Sequence, residues 1–202
     1  MQVARPALES PTTISLARRS RLSDAAYMEF CFANPDLRIE RTAQGEIVIV
    51  PPAGMESDCR GADIGIDLGY WARKDGRGRI FGSSAQFFLP DGSAMSADCG
   101  WISFARLASV DRSELKVFPH LVPEFIVEVM SPSDRLAAAK RKMGVWMSNG
   151  VELGWLIDGK NRRVHVYRQG QEPEVVVEPE SVRGEGPVDG FEIDLKGIWA
   201  GL

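Results

Sequence analysis

The sequence of 202 residues contains no stretch of about 18 consecutive apolar residues, the length a membrane-crossing helix needs, and no long apolar segment near its start. The expectation is a cytoplasmic protein, neither secreted nor membrane-spanning. Its three cysteines, Cys31, Cys59 and Cys99, are few, odd in number and widely spaced, with no Cys-x-x-Cys pair. That excludes a disulfide framework and the usual zinc spacings, and it fits a reducing compartment. There are two histidines, His120 and His165, and neither has a second at ligand spacing. Ser83 and Ser84 lack a Gly-x-Ser-x-Gly frame, and Gly76 and Gly78 do not form a phosphate-binding loop. Nor is there an excess of positive charge. A net charge of -4 argues against nonspecific nucleic-acid binding driven by bulk charge, though not against a local basic groove or carboxylates that hold a cation.

Hydrophobic content of 44% and charged content of 26% are those of an ordinary globular domain, long enough to bury a core. Residues 1–20 carry no clear period and read as a poorly ordered tail, leaving 21–202 as one domain. Ser23 is placed to cap a helix over 24–33, with Ala26, Phe30 and Ala33 as its inward stripe. Residues 37–41 and 46–50 flank a glycine-containing loop and predict a β-hairpin. A second helix is expected over 56–74, with Ile64, Leu68 and Trp71 on one face and Gly76 and Gly78 ending it. Strands are expected at 87–89 and 97–102, on either side of a Pro90-Asp91-Gly92 turn, and a short helix or turn at 103–110. Further strands are expected at 153–158, at 163–167 with alternating burial, at 174–177 as an edge, and at 191–195, with Ile198 and Trp199 packing back on the core. No internal repeat is visible, and the count of elements predicts an α+β or mixed α/β fold.

The chain is organised around 123–146. Phe125, Ile126, Val127, Val129 and Met130 make an apolar run of strand length that contains one carboxylate, Glu128. Ser131-Pro132-Ser133-Asp134 then has the form of a capping box, predicting a helix from that point to about Met147, stopped by Asn149-Gly150. A carboxylate in a buried strand costs several kcal/mol unless it is paired or bound to a metal. Asp98, ahead of Trp101-Ile102, is a second acid in apolar surroundings, and a lysine lies on the helix after Glu128. Two or three carboxylates can hold Mg²⁺, and a lysine beside them can orient a water, which is the logic of a metal-dependent phosphodiesterase. The bland alternatives are an arginine partner for Glu128 and, for Asp98, capping of the turn at Ser103. With Leu136, Ala139, Met143, Trp146 and Met147 as the inward stripe, Lys140 and Lys142 flank it on opposite sides, and periodicity alone does not choose between them.

Several segments in order resemble one family. They are Leu37-Arg38-Ile39-Glu40-Arg41 with Gly45-Glu46, then Pro51-Pro52-Ala53-Gly54-Met55-Glu56, Phe87-Phe88-Leu89-Pro90-Asp91-Gly92 and Ser96-Ala97-Asp98. The stretch 123–134, Lys142-Met143, and 149–158 complete the set. Over about residues 22–199 the chain resembles the Uma2 restriction-endonuclease family, a branch of the PD-(D/E)xK nucleases. The resemblance implies a restriction-endonuclease-like mixed central sheet flanked by helices, with an N-terminal helix and hairpin. It implies Mg²⁺ (or Mn²⁺) held by Asp98 and Glu128 with Glu56 in support. Met130 stands where the superfamily lysine usually follows the second acid, and the matching lysine is the helical Lys142. Ala97 replaces the usual proline before Asp98, Gly61 stands where a polar residue is common, and Cys59 sits beside Arg60.

The implied function is a Mg²⁺-dependent endonuclease acting on nucleic acid, DNA ahead of RNA, with a homodimer as a possible assembly. The alternative is a catalytically inactive nuclease fold that binds DNA or a protein partner. Glu56 can also be read as a favourable charge at a helix N-terminus, Glu40 as an exposed strand charge, His120 and His165 as structural or exposed, and Asp158 as a turn former.

Overall fold

The computed structural model describes residues 11–15 and 21–201. The tail expected over 1–20 therefore falls largely outside the described residues. Within it, Thr12–Ile14 forms strand β1, antiparallel to the hairpin. Helix α1 (Asp24–Ala33) follows Ser23, whose Oγ accepts from Ala26 N as the capping reading requires. Its fully buried residue is Tyr27, whose hydroxyl donates to the Ile39 carbonyl; Phe30 packs half-buried against the same core, as expected, whereas Ala33 is exposed. The hairpin is as expected, β2 (Arg38–Arg41) antiparallel to β3 (Ile47–Val50). Helix α2 (Met55–Asp75) ends at Gly76, whose φ of 73° suits glycine.

Strand β4 (Gly78–Gly82) follows at once, where the glycines had suggested only a stop. Gly78 is required there because a Cβ would lie 2.3 Å from the Ile102 carbonyl oxygen of the neighbouring strand. Next come β5 (Phe87–Phe88), β6 (Ala94–Met95), β7 (Cys99–Ser103) and the short helix α3 (Phe104–Leu107). Strand β8 (Phe125–Val129), helix α4 (Leu136–Ser148) and β9 (Leu153–Asp158) make a parallel crossover unit. The chain closes with β10 (Arg163–Arg168), β11 (Glu174–Val177), β12 (Ser181–Arg183), β13 (Glu192–Asp194) and α5 (Lys196–Ala200). Strand β10 does not alternate: Val164, His165, Val166 and Tyr167 are all buried, because the strand is covered on both faces.

The sheets explain the burial. Six strands run β11-β10-β9-β8-β7-β4, antiparallel except for the parallel β8–β9 pair. This mixed central sheet with helices on both faces is the architecture the resemblance implies. Phe125, Val127 and Val129 point to the α2 side, into a core with Ile64, Leu68, Trp155, Phe191 and Ile198. Ile126 points to the other side, into a core with Met143 and Trp146 of α4 and Leu156 of β9. Burying each such large side chain contributes about 1.5–3 kcal/mol. Strict alternation along β8 therefore sends Glu128 to the α4 side. A second sheet of five strands, β1-β3-β2-β6-β5, carries the hairpin. It is tied to α1 by the buried Arg41 guanidinium, which donates to the carbonyls of Leu22 and Gly92, pairs with Asp24 at 2.5 Å, and packs over the Tyr27 and Phe88 rings.

Candidate active site

Strands β7 and β8 pair with Cys99 opposite Val127 and Gly100 opposite Ile126. Continued by one residue, that register sets Asp98 opposite Glu128. Asp98 lies just outside β7, and its Oδ2 accepts from Val129 N at 2.8 Å, so a side chain takes over where the backbone ladder stops. Its Oδ1 is 3.7 Å from Arg38 Nη2 of β2. The turn at Ser103, an alternative employment for Asp98, is held instead by Glu124, which accepts from Ser103 Oγ at 2.6 Å and from its amide.

Glu128 is buried and doubly partnered. Trp146 Nε1 donates to its Oε1 at 3.0 Å, and Lys142 Nζ stands 2.9 Å from Oε1 and 3.1 Å from Oε2. Both partners come from α4, one turn apart on the helix face laid against β8. The same Nζ donates to the Ser96 carbonyl at 2.8 Å and lies 3.3 Å from Glu40 Oε1. Of the two lysines flanking the inward stripe, Lys142 is the one turned to the acids.

Glu40 is the residue that sequence reasoning set aside. It is 9% exposed rather than a solvated strand charge, and its Oε1 also accepts from Ser96 N at 3.3 Å. The reason is tertiary: β2 is an interior strand of the small sheet, between β3 and β6, so its outward-looking alternation faces the mouth of the cluster. Arg38, two residues earlier on the same face, was equally missed. Its spacing to Glu40 was the available signal. Glu56 has an ion-pair partner of its own. It lies in the first turn of α2, 2.6 Å from Arg60 Nη2 at i+4, and Arg60 in turn donates through Nε to the Ile198 carbonyl. That placement matches the helix-terminus reading of Glu56.

The helix carrying Lys142 begins later than the capping box predicts. Asp134 does accept from Ser131 N at 2.7 Å, but the contact closes a turn, and α4 starts at Leu136. Asp158 is a turn former as expected, accepting from the amide and side chain of Asn161. His120 is exposed and bridges Asp24 and Glu114, which hold it above the usual histidine range.

Three carboxylates, Glu40, Asp98 and Glu128, thus meet two cations, Lys142 and Arg38. Burial pushes Glu128 up to about 7; Lys142 opposes that, while the charges of Asp98 and Glu40 add to it. For Lys142 burial acts to lower the value, but the attraction of Glu128, Glu40 and Asp98 outweighs it and holds the ammonium above its usual range. The lysine is therefore charged at every working pH, whereas Glu128 changes charge near neutrality. Among the described residues, no group of three or more His, Cys, Asp or Glu side chains stands in a metal-holding arrangement.

The Uma2 family, described as "Putative restriction endonuclease", matches residues 24–196. No curated protein matches the chain. Among solved structures, a putative nuclease belonging to DUF820 from Anabaena variabilis superposes with a TM-score of 0.68 at 18% identity, over 80% of this chain and 89% of that one. At that identity the likeness is one of fold.

Proposed function

This chain belongs to the Uma2 family of putative restriction endonucleases, and from that premise we propose that it is a Mg²⁺-dependent endonuclease hydrolysing phosphodiester bonds, with DNA as substrate. The observation that carries the proposal is the meeting of Asp98, Glu128 and Lys142 from three separate elements, with Lys142 Nζ 2.9 Å from Glu128. The donor set suits a hard cation: two carboxylates on neighbouring strands, one of them a quarter exposed, leave coordination positions for water and phosphate oxygens, as Mg²⁺ prefers. The excess of acid over base that helps keep Glu128 protonatable near neutrality also favours taking up positive charge. When bound, a divalent cation would polarise the phosphoryl oxygen and acidify a water.

The remaining work falls to the chain. Asp98 and Glu128 would hold the cation, and Glu56, paired with Arg60, is left to structural work at the start of α2. Lys142, fixed by Ser96, Glu40 and Glu128, would orient the attacking water and compensate charge developing on the phosphoryl group. Trp146 fixes the Glu128 carboxylate by its N–H. Glu40 also pairs with Lys142.

The test is nicking of supercoiled DNA by purified protein with Mg²⁺ or Mn²⁺, with a structured RNA alongside. DNA cleavage lost in Asp98→Ala supports the reading; cleavage equal in both proteins refutes the site. A second reading, a nuclease fold kept for binding, draws on the closure of the cluster, in which Lys142 and Trp146 already satisfy Glu128. DNA binding without cleavage, unchanged by divalent cations, would favour it.

A further inference from the structure

Strand β4 is the outer strand of the six-stranded sheet, so among the described residues one edge of its backbone, Gly78 to Gly82, has no strand beside it. Nothing on it blocks pairing: it contains no proline, and its one charge is Arg79. Alongside, α2 turns apolar side chains to solvent. Ile66 is 67% exposed and Tyr70 62%, one helical turn apart, and Ile80 of β4 and Phe104 of α3 are exposed at 38% and 46%. A groove of about 330 Å³ runs between helix and strand beneath Ile66, Tyr70 and Ile80. Apolar surface next to an open sheet edge calls for a cover.

We propose that the cover is a second copy of this chain, in a two-fold dimer with β4 antiparallel to β4 of the copy and α2 antiparallel to α2 of the copy. The charges of α2 favour this occupant. Ahead of its midpoint it exposes Asp58 and Asp63, and its last turn exposes Arg73 and Lys74, with Asp67 just past the midpoint. A two-fold axis lays each half against the opposite half of the copy, as an isologous interface requires. The register that sets Ile66 against Tyr70 of the copy also sets Asp63 against Arg73 of the copy. On the sheet side, pairing centred on Ile80 sets Arg79 against Phe81 of the copy, so the arginines do not oppose each other. The two centres agree, because Gly69 lies against Ile80, whose Cδ1 is 3.0 Å from where a Gly69 Cβ would be. One axis through that point serves both elements. The surface shares no residue with the acid–lysine cluster, so its outcome is separate from that of the nuclease reading.

Sedimentation velocity over a concentration series up to about 100 µM, with circular dichroism of each variant, tests this. The wild-type protein is expected at twice the 22.2 kDa chain mass. Ile66→Glu with Tyr70→Glu should be a folded monomer. Asp63→Arg and Arg73→Asp should each weaken the dimer by about tenfold or more, and the double reversal should restore it. A wild-type monomer overturns the proposal. So does a dimer indifferent to the Ile66 and Tyr70 changes, or one lost in both single reversals and not regained in the double.

Discussion

Glu128→Gln preserves the shape of the side chain that Trp146 and Lys142 grip, and removes one titration. In the fold Glu128 is pushed up to about 7, against 4.5 for an ordinary glutamate. A folded-state value above the unfolded one means that the fold holds a proton the unfolded chain releases. The stability this gives is complete below about pH 4.5 and is lost as pH rises through about 7. At about 1.4 kcal/mol per pH unit, the gap amounts to roughly 3 kcal/mol. The glutamine protein has no such loss. Urea unfolding of both proteins, without divalent cations, should show the difference in unfolding free energy moving in favour of glutamine by roughly 3 kcal/mol between about pH 4 and pH 8. Contributions from His120, Asp24 and other groups are common to both proteins and cancel. Lys142 stays charged throughout, so it adds no slope. Parallel stability curves would refute the placement of Glu128 as a buried acid short of compensating charge.

Three further outcomes follow from the same contacts. Lys142→Met leaves Glu128 and Glu40 without their shared cation, and should cost about 3–5 kcal/mol at pH 8 by chemical denaturation, less at pH 5 where Glu128 is protonated. Trp146→Phe keeps most of the packing but removes the N–H on Glu128 Oε1; a loss of about 1–3 kcal/mol is expected, with the pH step of Glu128 moved upward. In Gly100→Ala a Cβ would lie 2.3 Å from the Phe125 carbonyl oxygen and 2.5 Å from Phe81 Cζ, so the central sheet should be destabilised by at least about 2 kcal/mol in a thermal melt, whereas Gly144→Ala on α4 meets nothing within 4 Å and should stabilise by roughly 0.5–1 kcal/mol.

Local chemistry made much of this fold legible. Ser23, the glycine loop of the hairpin, Gly76 and the apolar run of β8 each act through their own neighbours, and their elements stand where those residues place them. The candidate cluster was legible in its strand and helix, where an acid in an apolar run and a lysine beside an inward stripe were visible signals. Glu40 and Arg38 were not, because nothing local says that β2 lies between β3 and β6 and faces the acids. The start of α4 was misplaced because a serine-to-aspartate contact that caps helices also closes turns. Strand β4 was obscured by glycines that a sheet needs where backbones crowd, and that sequence alone shows as breaks. Glu56 entered through the resemblance alone, and its ion-pair partner, Arg60, sits one helical turn away.

In the proposed site Asp98 and Glu128 would together hold a divalent cation with Lys142 beside it. Calorimetric titration of the protein with Mn²⁺ at about pH 6 and pH 8 tests it most directly, since Glu128 must be ionised to bind. One Mn²⁺ per chain is expected, bound more tightly at the higher pH, with no binding in Asp98→Asn or Glu128→Gln. Absence of binding in the wild-type protein at either pH, or binding that survives loss of both acids, would contradict it.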